Sequence, residues 1–331
     1  MRFIDCTTQR RRRRRLSVSL RLNQKVNRLF ISRTIKISLV LCACLWLSQI
    51  AICAQPQSRV RVAVLNFGES STGGRAAEKV RHALITDKLA VQNGLVIVDQ
   101  NLATAAARGN GFQGSLNLTT QEARDIGAAI GCDFFIIGDA DTVQRSPSTG
   151  ADYFESYAAV FIVSARTGRL IYWERPLERR DTAEEAEKAL LTSLGLRDVS
   201  PGMRVAIFRA LEDEAAERAT AVETPAAAIE VMSDEDGAKS DTRAPRPYRR
   251  LKPPYPEAAA TAEVEAVVDV LVDIDARGEI GRIEIARWAG YGLDQSVLDT
   301  VRQMHFFPAM RDRVPIPMRV LLRYNFRKPP K

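Results

Sequence analysis

Two stretches near the C-terminus alternate apolar and polar residues with a period of two, and a helical stripe lies between them. In the first, Ala266, Val268, Val270, Val272 and Ile274 share one face while Asp269 and Asp273 take the other. The last alternates Met318, Val320, Leu322, Tyr324 and Phe326. Asp275-Ala276-Arg277-Gly278 reads as a turn into a second strand holding Ile280, Ile283 and Ile285. Leu293, Val297, Leu298, Val301 and Met304 recur at helical spacing, with Asp294 or Ser296 as the expected cap. Phe306-Phe307-Pro308-Ala309 ends that helix. Pro253, Pro254 and Pro256 form a stiff lead-in that cannot continue a helix. The order is β-β-α-β: a small α+β module over residues 248–328.

That order resembles the carboxy-terminal domain of the TonB family. The family's Tyr-Pro, Asp-x-x-Gly turn, Gly followed by Leu-Asp, aromatic-Pro-Ala and aromatic-ended strand are met by Tyr255-Pro256, Asp275 to Gly278, Gly290 with Leu293-Asp294, Phe307-Pro308-Ala309 and Val320 to Phe326. Ala266 and Arg313 depart from it, standing where the family has glycine. The resemblance spans about a quarter of the chain. It implies a protein-binding module that adds a partner's extended segment to an open sheet edge. The residues expected to meet that segment are Tyr255, Pro256, Arg319, Val320, Leu321, Leu322, Arg323 and Tyr324.

Charge separates the other end of the chain. The net charge is +8, yet residues 1–36 hold twelve of the 48 Lys/Arg and one of the 40 acids. The remaining 36 basic and 39 acidic residues nearly balance. The basicity is therefore a leader, with Arg10 to Arg15 facing cytoplasm and anionic lipid rather than nucleic acid. Residues 37–54, ISLVLCACLWLSQIAICA, read equally as a signal-peptide core, with a junction at Ala54-Gln55, or as a retained membrane anchor. Either way the rest of the chain is expected outside the cytoplasm, in the periplasm or cell envelope. Cys6, Cys42, Cys44 and Cys53 lie in this leader; Cys132 alone follows it, so no internal disulfide or cysteine metal cluster is expected.

Residues 59–217 read as an exported α/β domain. Arg59 to Phe67 alternates as a strand, Gly68 to Gly74 reads as a loop, and a helix over about 75–90 faces Ala77, Val80 and Leu84 inward. Leu95 to Val98 is a short strand. Thr119 with Glu122 forms a capping-box pattern for the next helix. Strands follow over Phe134 to Val143, Tyr153 to Ala165 and Leu170 to Leu177. Helices over Asp181 to Leu194 and Met203 to Glu217 are separated by Pro201-Gly202. Ile126 to Gly138 and Ser164 to Trp173 are similar to the α/β domain of curli-secretion-channel lipoproteins and to the TolB amino-terminal domain. That likeness implies an assembly or binding role. Residues 218–247, rich in Ala, Thr, Ser, Pro and acids, read as a disordered linker.

The search for chemistry finds isolated features. Gly68 to Gly74 offers a place for an anion at a helix start but lacks P-loop spacing. Asp139 and Asp141 stand as candidate cation ligands, Asn117-Leu118-Thr119 as a glycosylation triplet, and His82 with His305 as the sole histidine pair. Trp173 and Trp288 read as packing or surface aromatics. No nucleophile set or metal spacing appears, so neither an enzyme, a metal nor a cofactor is expected. The expected function is an envelope adaptor that binds a partner by strand addition. It either couples to an inner-membrane motor and outer-membrane transport, or serves an envelope assembly without energy transduction. A homodimer stays open, because an exposed edge can pair with its own copy.

Overall fold

The computed structural model describes residues 59–195, 199–223, 230–231 and 242–328. The leader, the 37–54 segment and most of residues 224–241 lie outside the described residues. Among the described residues no helix is long and apolar enough to cross a membrane.

The first part of the chain runs β1 (Val60–Phe67), α1 (Ser71–Thr86), α2 (Lys88–Gln92), β2 (Leu95–Ile97), α3 (Gln100–Gly109), α4 (Thr120–Ile130), β3 (Phe134–Arg145), β4 (Tyr153–Ser164), β5 (Leu170–Glu174), β6 (Leu177–Arg180), α5 (Ala183–Gly195) and α6 (Val199–Glu223). Its sheet has the order β2-β1-β3-β4-β5, with β6 also on β4. β1 lies parallel to both β2 and β3, and β3, β4, β5 and β6 continue antiparallel. One sheet face, through Val62, Val64, Phe134 and Ile162, packs on Val80 and Leu84 of α1, Leu190 of α5 and Ile207 of α6.

Several boundaries differ from the sequence reading for local reasons. The glycine stretch is a loop only as far as Ser70: α1 starts at Ser71, because the Ser70 hydroxyl accepts from the Gly73 N–H and caps it. Gly73 is needed there, since an added Cβ would meet the Phe67 carbonyl oxygen at 1.9 Å. Pro201 and Gly202 do not separate helices; they sit in the first turn of α6, where a missing N–H is harmless. The Thr119–Glu122 capping box is present with both of its bonds.

The C-terminal part runs β7 (Glu230–Val231), β8 (Thr242–Arg243), β9 (Arg246–Pro247), α7 (Glu257–Thr261), β10 (Ala266–Ile274), β11 (Ile280–Arg287), α8 (Leu293–Arg302), β12 (Phe306–Phe307), β13 (Ala309–Arg311), β14 (Val314–Ile316) and β15 (Met318–Phe326). Its main sheet has the order β11-β10-β15-β7. The described ends of the 218–247 stretch are paired, β8 with β13 and β9 with β12, and α6 runs on to Glu223. Neither Asp294 nor Ser296 caps α8. Gly292 holds the cap position at φ 78 with no side-chain bond. The Ser296 hydroxyl instead donates to the Pro254 carbonyl at 2.6 Å, tying the helix to the proline lead-in. Asp312 and Arg313 both take positive φ, 50° and 67°, in the two-residue turn joining β13 to β14.

The larger hydrophobic cluster runs through both parts of the chain. Phe135, Ile137, Phe161 and Val163 on the second face of the first sheet join Ala103 and Ala107 of α3 and Ala123 and Ile126 of α4. Val268, Val270, Val272, Trp288, Leu293 and Val301 belong to the same cluster. The C-terminal module thus occupies part of a sheet face that would otherwise lie open.

Candidate functional site

β15 is where the sequence placed partner binding. It pairs with β10 in an unbroken antiparallel register from Ala266↔Phe326 to Ile274↔Met318. On its other side, β7 covers only Met318 and Arg319. Among the described residues no strand covers Val320–Phe326 on that side, so their outward N–H and C=O groups form a free edge.

The expected contact residues divide by face. Val320, Leu322 and Tyr324 pack on the hydrophobic cluster, and the Tyr324 hydroxyl lies 3.4 Å from the Met304 sulfur. Arg319, Leu321 and Arg323 take the opposite face. Arg319 donates to both oxygens of Asp273, the Nη2 bond being 2.8 Å, and Arg323 to both oxygens of Asp269 at 2.7 and 3.0 Å. The two aspartates are buried at 3% and 7% exposure, and the bidentate arginines satisfy them. Leu321, between the arginines, is 52% exposed.

Tyr255 and Pro256 lie at the Phe326 end of β15. The Tyr255 hydroxyl donates to the Val264 carbonyl at 2.6 Å, its ring lies 6.1 Å from that of Phe326, and Pro256 is the cap residue of α7. They clasp the lead-in to the start of β10. The Asp275 carboxylate accepts from the Arg277 and Glu279 N–H groups, which holds it below the ordinary carboxylate range. Gly278 completes that turn at φ 85, with the Phe306 carbonyl 2.0 Å from where a Cβ would sit.

A second feature was not visible in the sequence: a joint between the module and the α/β sheet. The Trp288 ring stacks on Phe161 at 6.1 Å, and Tyr291 meets Phe161 edge-on at 5.5 Å and Trp173 at 5.5 Å. The Trp288 indole N–H donates to the Gly168 carbonyl at 3.0 Å. Residues 117–119 run along the end of β11, with a Thr119↔Arg287 bridge. Asn117 rivets the joint. Its Nδ2 donates to the carbonyls of Val267 and Trp288 at 2.8 and 2.6 Å, and its Oδ1 accepts from the Val267 N–H at 3.0 Å. The glycosylation reading of Asn117 is therefore corrected, since its nitrogen is already committed to two carbonyls. The Asp294 carboxylate accepts from the Ala289 and Gly290 N–H groups at 2.9 and 2.8 Å, and burial pushes it up to about 6. A groove of about 580 Å³ opens beside the joint, between β5 and β11, lined by Tyr172, Trp173, Ile283, Ile285, Trp288 and Leu298 among others.

The remaining candidates do not assemble. The cradle suggested at Gly68 to Gly74 is filled by the Ser70 cap, whose hydroxyl also donates to the Ala140 carbonyl at 2.6 Å. Asp139 accepts from the Tyr157 hydroxyl at 3.0 Å and Asp141 from the Thr142 N–H at 2.8 Å. Among the described residues no group of three His, Cys, Asp or Glu forms a metal cage. His82 lies on α1 and His305 beside Tyr248, in different layers. Burial pushes the Cys132 thiol up to about 12.

Residues 252–327 match the family described as Gram-negative bacterial TonB protein C-terminal. Solved structures similar to the chain include the hypothetical protein CT253 from Chlamydia trachomatis, at 12% identity over 46% of this chain and 96% of that one, TM-score 0.28. The TonB CTD of Pseudomonas aeruginosa is similar at 21% identity over 32% of this chain and 99% of that one, TM-score 0.24. The LpoB C-terminal domain from Salmonella enterica is similar at 15% identity over 40% and 92%, TM-score 0.24. Comparison with curated proteins finds no match. The TonB-like module accordingly extends from the proline lead-in to the end of β15, and its glycine departures have distinct outcomes. Ala266 opens β10 without disturbing the ladder, whereas Arg313 takes the left-handed conformation that glycine would adopt freely.

Proposed function

We propose that this chain is a cell-envelope adaptor whose TonB-like module receives an extended segment of a partner protein along β15. The observation that carries the reading is the free edge from Val320 to Phe326, whose inner side is anchored by an unbroken ladder to β10. Main-chain hydrogen bonds supply affinity in such an addition, and the alternating side chains select the partner. The family match over residues 252–327 supports an interaction role in the envelope.

Of the two roles open to such an adaptor, the joint favours a fixed component of an envelope assembly. The module is packed into a hydrophobic cluster shared with an α/β domain, through Trp288 and Phe161, and Asn117 hydrogen-bonds across the same joint. A role in energy transduction needs residues 37–54 to remain as an inner-membrane anchor. N-terminal sequencing and membrane partition of the native protein decide this. A chain beginning near Gln55 that washes free of membranes excludes the motor-coupled role and leaves the adaptor.

Strand addition is tested by placing a photo-crosslinking residue at Leu321 in cells, with Leu102, 70% exposed on α3, as control. The expected product is a crosslink from position 321 that maps to one recurring extended peptide. Equal background from both positions would remove the reading.

A further inference from the structure

The outer face of the TonB-like sheet carries opposite charges paired across its strands in two rows. In one row Glu122 of α4 lies 3.8 Å from Arg287 of β11, Arg287 lies 3.4 Å from Asp269 of β10, and Asp269 is bound by Arg323 of β15 at 2.7 Å. In the second row Asp273 of β10 is bound by Arg319 of β15. Both rows end on a cation of β15, Arg323 on the uncovered stretch and Arg319 beside β7. Arg319 and Arg323 are four residues apart on one face, with the exposed Leu321 between them.

Opposite charges directly across neighbouring strands stabilise a sheet, and like charges oppose it. A strand added beside β15 becomes the next member of both rows. From this charge complementarity we infer that the partner segment carries two carboxylates four residues apart, opposite Arg319 and Arg323, with an apolar residue opposite Leu321. The two intervening residues point to the inner face beside Val320 and Leu322, and are apolar as well. The segment is acidic at its ends and apolar in its middle. β7 holds Arg319 by a single register pair, Arg319↔Val231, which the incoming segment displaces. This inference rests on strand addition at β15 and adds the chemistry of the partner.

The test uses the full chain and short synthetic peptides with a Glu-Val-Leu-Val-Glu core, alongside versions in which both Glu are Gln or Lys. Changing the peptide leaves Asp269 and Asp273 paired, so folding is not at issue. Binding is followed by fluorescence anisotropy at low and high salt, and location by amide protection along β15. The Glu peptide is expected to bind roughly five- to tenfold more tightly than the Gln peptide, and the Lys peptide more weakly still. The Glu advantage should shrink as salt rises, with protection confined to Val320–Phe326. Equal binding of Glu and Gln peptides, with β15 protected, overturns the charge inference and leaves strand addition standing. Protection of β11 in place of β15, or of neither, removes the strand-addition reading itself. Concentration-dependent protection of β15 without peptide makes a second copy of this chain the occupant, and equally overturns the inference.

Discussion

The indole N–H of Trp288 donates to the backbone carbonyl of Gly168 at 3.0 Å, joining residues 120 apart in sequence. Trp288 is 1% exposed and its ring lies against Phe161, so one side chain both seals and hydrogen-bonds the joint between the TonB-like module and the α/β sheet. Its consequences can be measured.

Trp288→Ala opens a cavity and leaves the Gly168 carbonyl without its donor. The expected loss of stability is about 3–5 kcal/mol, read from denaturant unfolding. Hydrogen exchange should show protection lost in β4 as well as in β11. A loss confined to the module would show the joint to be passive.

Asn117→Ala removes three hydrogen bonds to Val267 and Trp288 and strands partly buried backbone groups. A cost of about 2–4 kcal/mol is expected, since each unmet group carries roughly 1–3 kcal/mol. Asn117→Asp should be no better, because a carboxylate cannot donate to the two carbonyls.

Asp294 makes stability fall as pH rises. Its folded value is about 6 against an ordinary 3.8, because burial disfavours the charged form. The folded protein therefore holds this proton more tightly than the unfolded chain. Its contribution is fully present below about pH 4 and is lost as pH rises through 6. The span is at most about 3 kcal/mol. Asp294→Asn should flatten the slope of urea midpoint against pH between 4 and 6, whatever its effect on absolute stability.

Arg313→Gly should stabilise the β13–β14 turn. Arg313 sits at φ 67, a conformation that costs a residue with a Cβ roughly 1–2 kcal/mol, offset in part by the greater chain entropy of glycine. A net gain of about 0.5–1 kcal/mol in thermal or denaturant unfolding is expected.

The C-terminal module was legible because its signals are local: two alternating strands, a turn glycine and a stripe at helical spacing. α3 was not, because alanine dominates it and only Ala103 and Ala107 are buried, leaving no large apolar stripe. The start of α1 was misread because Gly73 and Gly74 look like breakers, while the close approach of the Phe67 carbonyl requires glycine at position 73 inside the helix. The family resemblance offered Arg319 to Phe326 as the candidate edge; β7 pairs with Arg319, and Val320–Phe326 have no second strand among the described residues. The pairing of the β15 arginines with Asp269 and Asp273 depends on cross-strand register, which no single strand encodes. The joint was hidden for a similar reason. Asn117 read as a glycosylation triplet and Trp288 as a lone aromatic, since their partners lie far along the chain.

The ladder between β10 and β15 also has a mechanical meaning. Tension drawn along an added strand acts parallel to β15, so it shears all the register pairs from Ala266↔Phe326 to Ile274↔Met318 together instead of peeling them one at a time. From β10 the pull passes through Val267 and Asn117 to Trp288, and from Trp288 to Phe161 of the α/β sheet. A segment held on this edge would be tugged against the whole folded body, not against a single strand.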